Sequence, residues 1–155
     1  MNHKKKEKSN SEQKQFEFCE VCRLNHNRGR RHNYLPSHKN SLSNLLSCFQ
    51  SKLFDIKFFL KNPMAILPEH AQERLWCIFC NCDILKLDSQ FAWSVISSNA
   101  VEHLASEEHW KRVKGFMWKY GGGMDRVDLF RIAEADYAKV KEDQGRAMFE
   151  VVISA

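Results

Sequence analysis

Apolar residues at Leu42, Leu45, Leu46, Phe49, Leu53, Ile56 and Leu60 follow one another in steps of three and four. That spacing is the stripe of an amphipathic helix, and Phe54, Phe58 and Phe59 are expected to widen it. Ahead of it, Phe16 and Phe18 alternate with polar residues as a short strand does. Asn62-Pro63 and Leu67-Pro68 break the helix and open a linker. Beyond it, residues 83–87 and 91–97 are expected to pair as a hairpin across Asp88-Ser89-Gln90. Asn99 and Glu102 have the spacing of a helix capping box. A further helix is expected over about 106–120, where Gly121-Gly122-Gly123 stops it, and a last one over about 133–141. Residues 1–15 are polar, rich in lysine and aperiodic, as a disordered basic tail would be. The pattern divides the chain into that tail, a first unit over 16–62, a linker over 63–74, a second unit over 75–123 and a helical segment over 124–155.

Composition fits this picture. The 155 residues are 43% hydrophobic and 28% charged, ordinary proportions for a globular protein. No apolar run approaches the roughly 18 residues of a membrane span. The N-terminus has no signal-peptide core, so the chain is expected inside the cell. Cysteine there defaults to a free thiol or a metal ligand, and the chain carries six Cys and seven His. The net charge of +5 is uneven: residues 1–15 carry +3, residues 16–62 carry +5 and residues 63–155 carry −3. The basic part can meet a polyanion, or simply form a solvated face. Lys4-Lys5-Lys6-Glu7-Lys8 has the form of a nuclear import signal, a motif of low specificity.

Cys19-x2-Cys22-x9-His32-x5-His38 and Cys77-x2-Cys80-x22-His103-x5-His109 are two sets of four ligands in the same order. In each, a tight turn aims two sulfurs at one point and two histidines follow on helix. Zinc takes four N or S ligands tetrahedrally, and a filled set leaves no open catalytic position. Zn²⁺ with two thiolates and two neutral imidazoles is formally neutral, so it can be buried cheaply. Residues six apart lie about 240° round a straight helix, so each histidine pair needs a break between its members. Pro36 and Ser106 lie in the right intervals. Two alternatives remain at this level. His26-x5-His32 repeats the spacing but leaves only a short loop after Cys22, and Cys82 follows Cys80 closely enough to replace a partner. Cys48 is expected to be a packed thiol beside the apolar stripe. His70 carries no evident chemistry, and Met117 and Trp118 read as core.

Enzymatic readings find little support. Trp76-Cys77-Ile78-Phe79-Cys80 is superficially like a thioredoxin site, but that scaffold needs a later proline facing the cysteines, and none follows Pro68. The signatures of zinc deaminases, of His-Glu-x-x-His proteases and of phosphate-binding glycine loops are missing. No acid–base pair stands out from the surface carboxylates. The expectation is a protein that is not an enzyme.

The wide His-x5-His spacing resembles the matrin-type and spliceosomal zinc fingers, which favour RNA and ribonucleoprotein contexts. More specifically, Arg28-Gly29-Arg30-Arg31-His32 within the first finger resembles the centrosomal AT-AC splicing factor family, whose plant members are called TITAN-like proteins. Pro68-Glu69-His70 ahead of Cys77-Ile78-Phe79-Cys80, then Glu102-His103-Leu104-Ala105-Ser106-Glu107-Glu108-His109, is similar to the same family, nearer its plant form, and so is Asp136-Tyr137-Ala138. The motifs span residues 16 to about 141. The resemblance implies a nuclear factor of the minor spliceosome, associated with its tri-snRNP and supporting splicing of AT–AC-type introns. Family chains are longer, with a charged C-terminal half, and residues 148–155 have no recognised counterpart. The chain is therefore expected to be a fragment or a short isoform.

The expected protein is a small α+β fold: two Cys2His2 zinc fingers of matrin-like spacing with long helical extensions. Cys19, Cys22, His32 and His38 would hold one zinc ion, and Cys77, Cys80, His103 and His109 the other. Arg28, Arg30, Arg31 and Lys39 surround the first finger and are the expected phosphate contacts. The implied partners are spliceosomal RNA and proteins, with no membrane and no small-molecule substrate. The alternative is a zinc-stabilised protein-interaction module, using the Leu42–Leu60 stripe, without direct RNA binding.

Overall fold

The computed structural model describes residues 15–61, 74–85, 98–139 and 141–142. Within them lies a small α+β protein with two antiparallel strand pairs and three α-helices of eight or more residues. Strands β1 (Glu17–Cys19) and β2 (Leu24–His26) pair first, and β3 (Arg74–Cys77) and β4 (Cys82–Leu85) pair second. The two pairs are built alike. Each turn holds a Cys-x2-Cys motif and ends in a residue with positive φ, Arg23 at 59° and Asn81 at 53°. The left-handed residue turns the chain back onto its partner strand, and asparagine tolerates that conformation better than arginine.

The second unit forms a hairpin that the sequence pattern does not suggest. β4 pairs backwards with β3, in the register Cys77↔Cys82 and Arg74↔Leu85. The Cys-x2-Cys turn is itself the hairpin loop, so its strands meet by the shortest closure. Residues 91–97, the expected partner, lie outside the described residues, as do 1–14 of the tail, 63–73 of the linker and His70.

A 3-10 segment, Gly29–Tyr34, leads into helix α1, Pro36–Lys61. Proline opens α1 where its missing N–H costs nothing and its fixed φ suits the helix. Leu42, Leu46, Phe49, Leu53 and Ile56 are buried along one face. Phe54 and Phe58 do not widen that face: both are exposed, and so is Cys48, against the expectation of a packed thiol. At about 100° per residue, Cys48 and Phe54 fall roughly 120° to either side of the buried stripe.

Helix α2 (Ser98–Ala105) and helix α3 (Glu107–Tyr120) are separated by Ser106. Asn99 lies inside α2 and so does not cap it. Ser106 does cap α3. Its Oγ accepts from the His109 N–H at 3.2 Å and donates to the His103 carbonyl at 2.6 Å. Gly121, at φ 73°, ends α3 in the left-handed conformation that glycine adopts without penalty. A second 3-10 segment, Met124–Phe130, then folds back, and residues 134–139 are helical again.

These elements share one core. Phe49 of α1 packs edge-on against Phe79 of the second Cys-x2-Cys turn, with ring centroids 4.9 Å apart, and Phe79 in turn meets Phe116 and Phe130. Phe49 therefore joins the first helix to the second strand pair. Replacing it with alanine is expected to destabilise the protein by about 3–5 kcal/mol. Phe54→Ala, on the same helix, should change stability by no more than about 0.5 kcal/mol. Urea titrations of the two variants followed by circular dichroism check both values.

Candidate metal centres

In the first unit, the strand pair presents Cys19 and Cys22 and the helical run presents His32 and His38. The donor atoms of all four lie within 4.8 Å of one another and could hold a metal ion. The His38 Nδ1 sits 3.5 Å from both sulfurs. Its Nε2–H donates to the Tyr120 carbonyl at 2.9 Å. That bond fixes the tautomer and leaves the Nδ1 lone pair facing the sulfurs, the usual outer support of a ligating imidazole. The break between the histidines falls at Leu35 and Pro36: His32 lies in the 3-10 segment and His38 in α1.

The second unit repeats the arrangement with Cys77, Cys80, His103 and His109, again within 4.8 Å. The His109 Nδ1 lies 3.5 Å from the Cys77 sulfur and 3.6 Å from that of Cys80. Its Nε2–H donates to the Phe130 carbonyl at 2.8 Å. His103 and His109 sit on α2 and α3, either side of the Ser106 break.

Burial shifts the titration of several donor groups. Burial holds His32, His103 and His109 below the ordinary imidazole pKa, His109 at about 4. The imidazoles are thus neutral and ready to ligate near neutral pH. Burial also pushes the thiols of Cys22, Cys77 and Cys80 up, Cys80 to about 12, and the neighbouring sulfur adds to the rise at Cys22 and Cys80. Both His32 ring nitrogens and the His103 Nε2 are buried without a hydrogen-bond partner. A buried orphan nitrogen costs about 1–3 kcal/mol, and a metal ion would relieve one such nitrogen at each histidine. The donor sets of both units therefore fit a bound metal ion.

Other residues singled out by the sequence fall around these clusters. His26 stacks flat on His32, centroids 3.9 Å apart, and stays outside the four-residue set. Cys82 is also outside its set, although it lines a cleft with Cys80, His103 and His109. Arg28, Arg30, Arg31 and Lys39 are all exposed around the first cluster. Met117 is buried as expected, but Trp118 is not core: it is 63% exposed on the opposite face of α3. The Arg30 guanidinium lies over its ring, 3.9 Å from the centroid. The carbonyls of Tyr120 and Phe130 escaped sequence reasoning. The signal for the first was the glycine run, since the last carbonyls of a stopped helix have no partner within it.

A family model described as "Coiled coil protein 84" matches residues 18–152. The match runs past residue 141, so most of the C-terminal stretch expected to lack a counterpart does have one. The "TITAN-like protein" of Arabidopsis thaliana is 50% identical over 133 residues, covering 85% of this chain and 31% of that protein. The "Centrosomal AT-AC splicing factor" of Homo sapiens is 26% identical over 132 residues, covering 84% of this chain and 40% of that protein. The chain thus spans 31% and 40% of the lengths of these two curated relatives. On a family match that runs through both candidate metal clusters, the chain belongs to the coiled coil protein 84 family.

Proposed function

We propose that the chain is a nuclear, non-enzymatic zinc-finger pre-mRNA splicing factor that binds RNA or ribonucleoprotein in the minor spliceosome, in association with its tri-snRNP. The observation that carries the zinc part is the donor spacing. With Zn–S near 2.3 Å and Zn–N near 2.0–2.1 Å, tetrahedral angles place S and N about 3.6 Å apart. The four Nδ1–Sγ separations are 3.5, 3.5, 3.5 and 3.6 Å. Cys19, Cys22, His32 and His38 would hold one ion, and Cys77, Cys80, His103 and His109 the second. Each site is then a closed finger of the matrin-like His-x5-His type, with zinc supplying folding free energy directly. The name of the human relative, an AT-AC splicing factor, supports the minor-spliceosome assignment.

The first unit is the proposed RNA-facing one. Residues 16–62 carry +5, while 77–120 balance five Lys/Arg against five acids. Arg28, Arg30 and Arg31 enter or lie within the 3-10 segment that carries His32, so folding onto a metal fixes their direction. Lys39 follows on the first turns of α1.

Three outcomes test the proposal. Zinc uptake at pH 7 by the second site should release about two protons, because burial keeps the Cys77 and Cys80 thiols protonated and the His103 and His109 imidazoles neutral. Calorimetry in buffers of different ionisation enthalpy reads that number, and no uptake by the folded chain would remove zinc from the account. Changing Arg28, Arg30 and Arg31 together to Ala should weaken RNA binding and flatten its log–log salt slope by about 0.7 per lost single-strand phosphate contact, with both zinc ions retained. Unchanged affinity and slope would move the protein-interaction module to first place. In cells, depletion should raise retention of minor-class introns above that of major-class introns in transcript sequencing, and uniform retention would cancel the minor-spliceosome assignment.

A further inference from the structure

Trp118 is a large aromatic whose position packing alone does not explain. It sits on the solvent face of α3, 63% exposed, while Val113, Met117 and Tyr120 of the same helix face inward. Burying an indole is favourable and leaving it in water is not, yet here it lies beneath a guanidinium instead of in the core. Arg30, from the 3-10 segment of the other unit, covers the ring at 3.9 Å. Lys119 stands next to it, and its carbonyl is tied to the first unit by the Asn33 Nδ2–H at 2.8 Å. The seam between the units is thereby held in place at this point.

A cleft of about 110 Å³ opens along the seam beside the first metal cluster, lined by Phe18, Arg30, Trp118 and Lys119 and reaching the cluster residues Cys19 and His32 at its floor. Phe18 is itself 52% exposed. Gly29 has φ +55°, and no heavy atom lies within 4 Å of where its side chain would be, so its position leaves the mouth open. Glu17 also lines the cleft and contributes one negative charge, against the positive charges of Arg30 and Lys119. Arg28 and Arg31 flank it in sequence.

We infer that this cleft is a nucleotide site for single-stranded RNA, with one unpaired base stacked on the Trp118–Arg30 platform and the flanking phosphates on Lys119, Arg28 and Arg31. This rests on the RNA-binding reading above and deepens it. Exposed aromatic rings and guanidinium planes are what unpaired bases stack on, and every base offers a π-face. A duplex keeps its bases inside and cannot use such a platform. The occupant is therefore a single strand, and its affinity has two separable parts: stacking, which is indifferent to salt, and phosphate contact, which is not.

The test uses the full zinc-loaded chain and two labelled probes, a short oligouridine and an RNA duplex of equal length, titrated across salt concentrations. Trp118→Ala should weaken oligouridine binding roughly tenfold, leave the salt slope unchanged and leave duplex binding unchanged. Trp118→Phe should recover much of the loss. Lys119→Ala, which removes a phosphate contact and keeps the platform, should weaken binding and flatten the slope as well. Because Trp118 is exposed, zinc content and circular dichroism should match wild type in every variant. Wild-type affinity of Trp118→Ala for oligouridine would overturn the cleft while leaving RNA binding by the basic loop intact. Equal losses on both probes would overturn the stacking role. Failure of the wild-type chain to bind either probe would overturn the RNA reading itself, and the cleft with it.

Discussion

Two hydrogen bonds from imidazole to backbone carbonyl hold this fold in register: His38 Nε2–H to Tyr120, and His109 Nε2–H to Phe130. Each fixes one ring nitrogen as a donor and so turns the other towards a pair of sulfurs. Each also satisfies a carbonyl that no regular ladder serves, because Tyr120 ends α3 and Phe130 ends the 3-10 segment. A buried carbonyl left alone would cost about 1–3 kcal/mol, as would the unpaired N–H. The same bond therefore solves a problem of helix ends and a problem of ligand orientation.

The consequence lies in which parts of the chain are joined. His38 belongs to the first cluster, but its anchor is the last residue of the helix whose first turn carries His109 of the second. Asn33, between the two first-unit histidines, holds the neighbouring carbonyl of Lys119. The end of α3 thus docks on the first cluster through two hydrogen bonds, and Phe49 of α1 docks on the second strand pair through Phe79. The two crossings run in opposite directions, so the clusters are braced against each other through α1 and α3. The Ile132 N–H also accounts for the free Leu104 carbonyl at the end of α2, at 3.0 Å.

Sequence carried the parts of this that depend on side-chain type. The two ligand sets were legible because cysteine and histidine are scarce and their spacing is constrained by a common point. The limits of α3 were legible because Ser106 and Gly121 act locally. The stripe on α1 was legible in position but not in width: the core it meets is narrow, so Phe54 and Cys48 remain in water. The backbone partners of His38 and His109 were not legible, since a carbonyl has no letter of its own. Nor was the partner of β4, because a run of alternating residues does not say on which side it will pair. Trp118 was misplaced for a related reason. Helical periodicity gives the inward face of α3, but a lone tryptophan beside it is assigned to the core by its size alone.

The unequal charge of the two units gains its meaning from this bracing. A basic loop tethered at one end only would sample many directions and lose ordering entropy on meeting a polyanion. Here Arg30 is constrained at both ends, by the 3-10 segment that carries His32 and by the indole of Trp118 across the seam. The second unit, neutral overall, matters through more than its net charge. Its helix α3 supplies the indole under Arg30 and the carbonyls that hold Asn33 and His38. Loss of the second cluster would therefore be felt at the basic loop through α3, even though none of the four second-cluster ligands lies there.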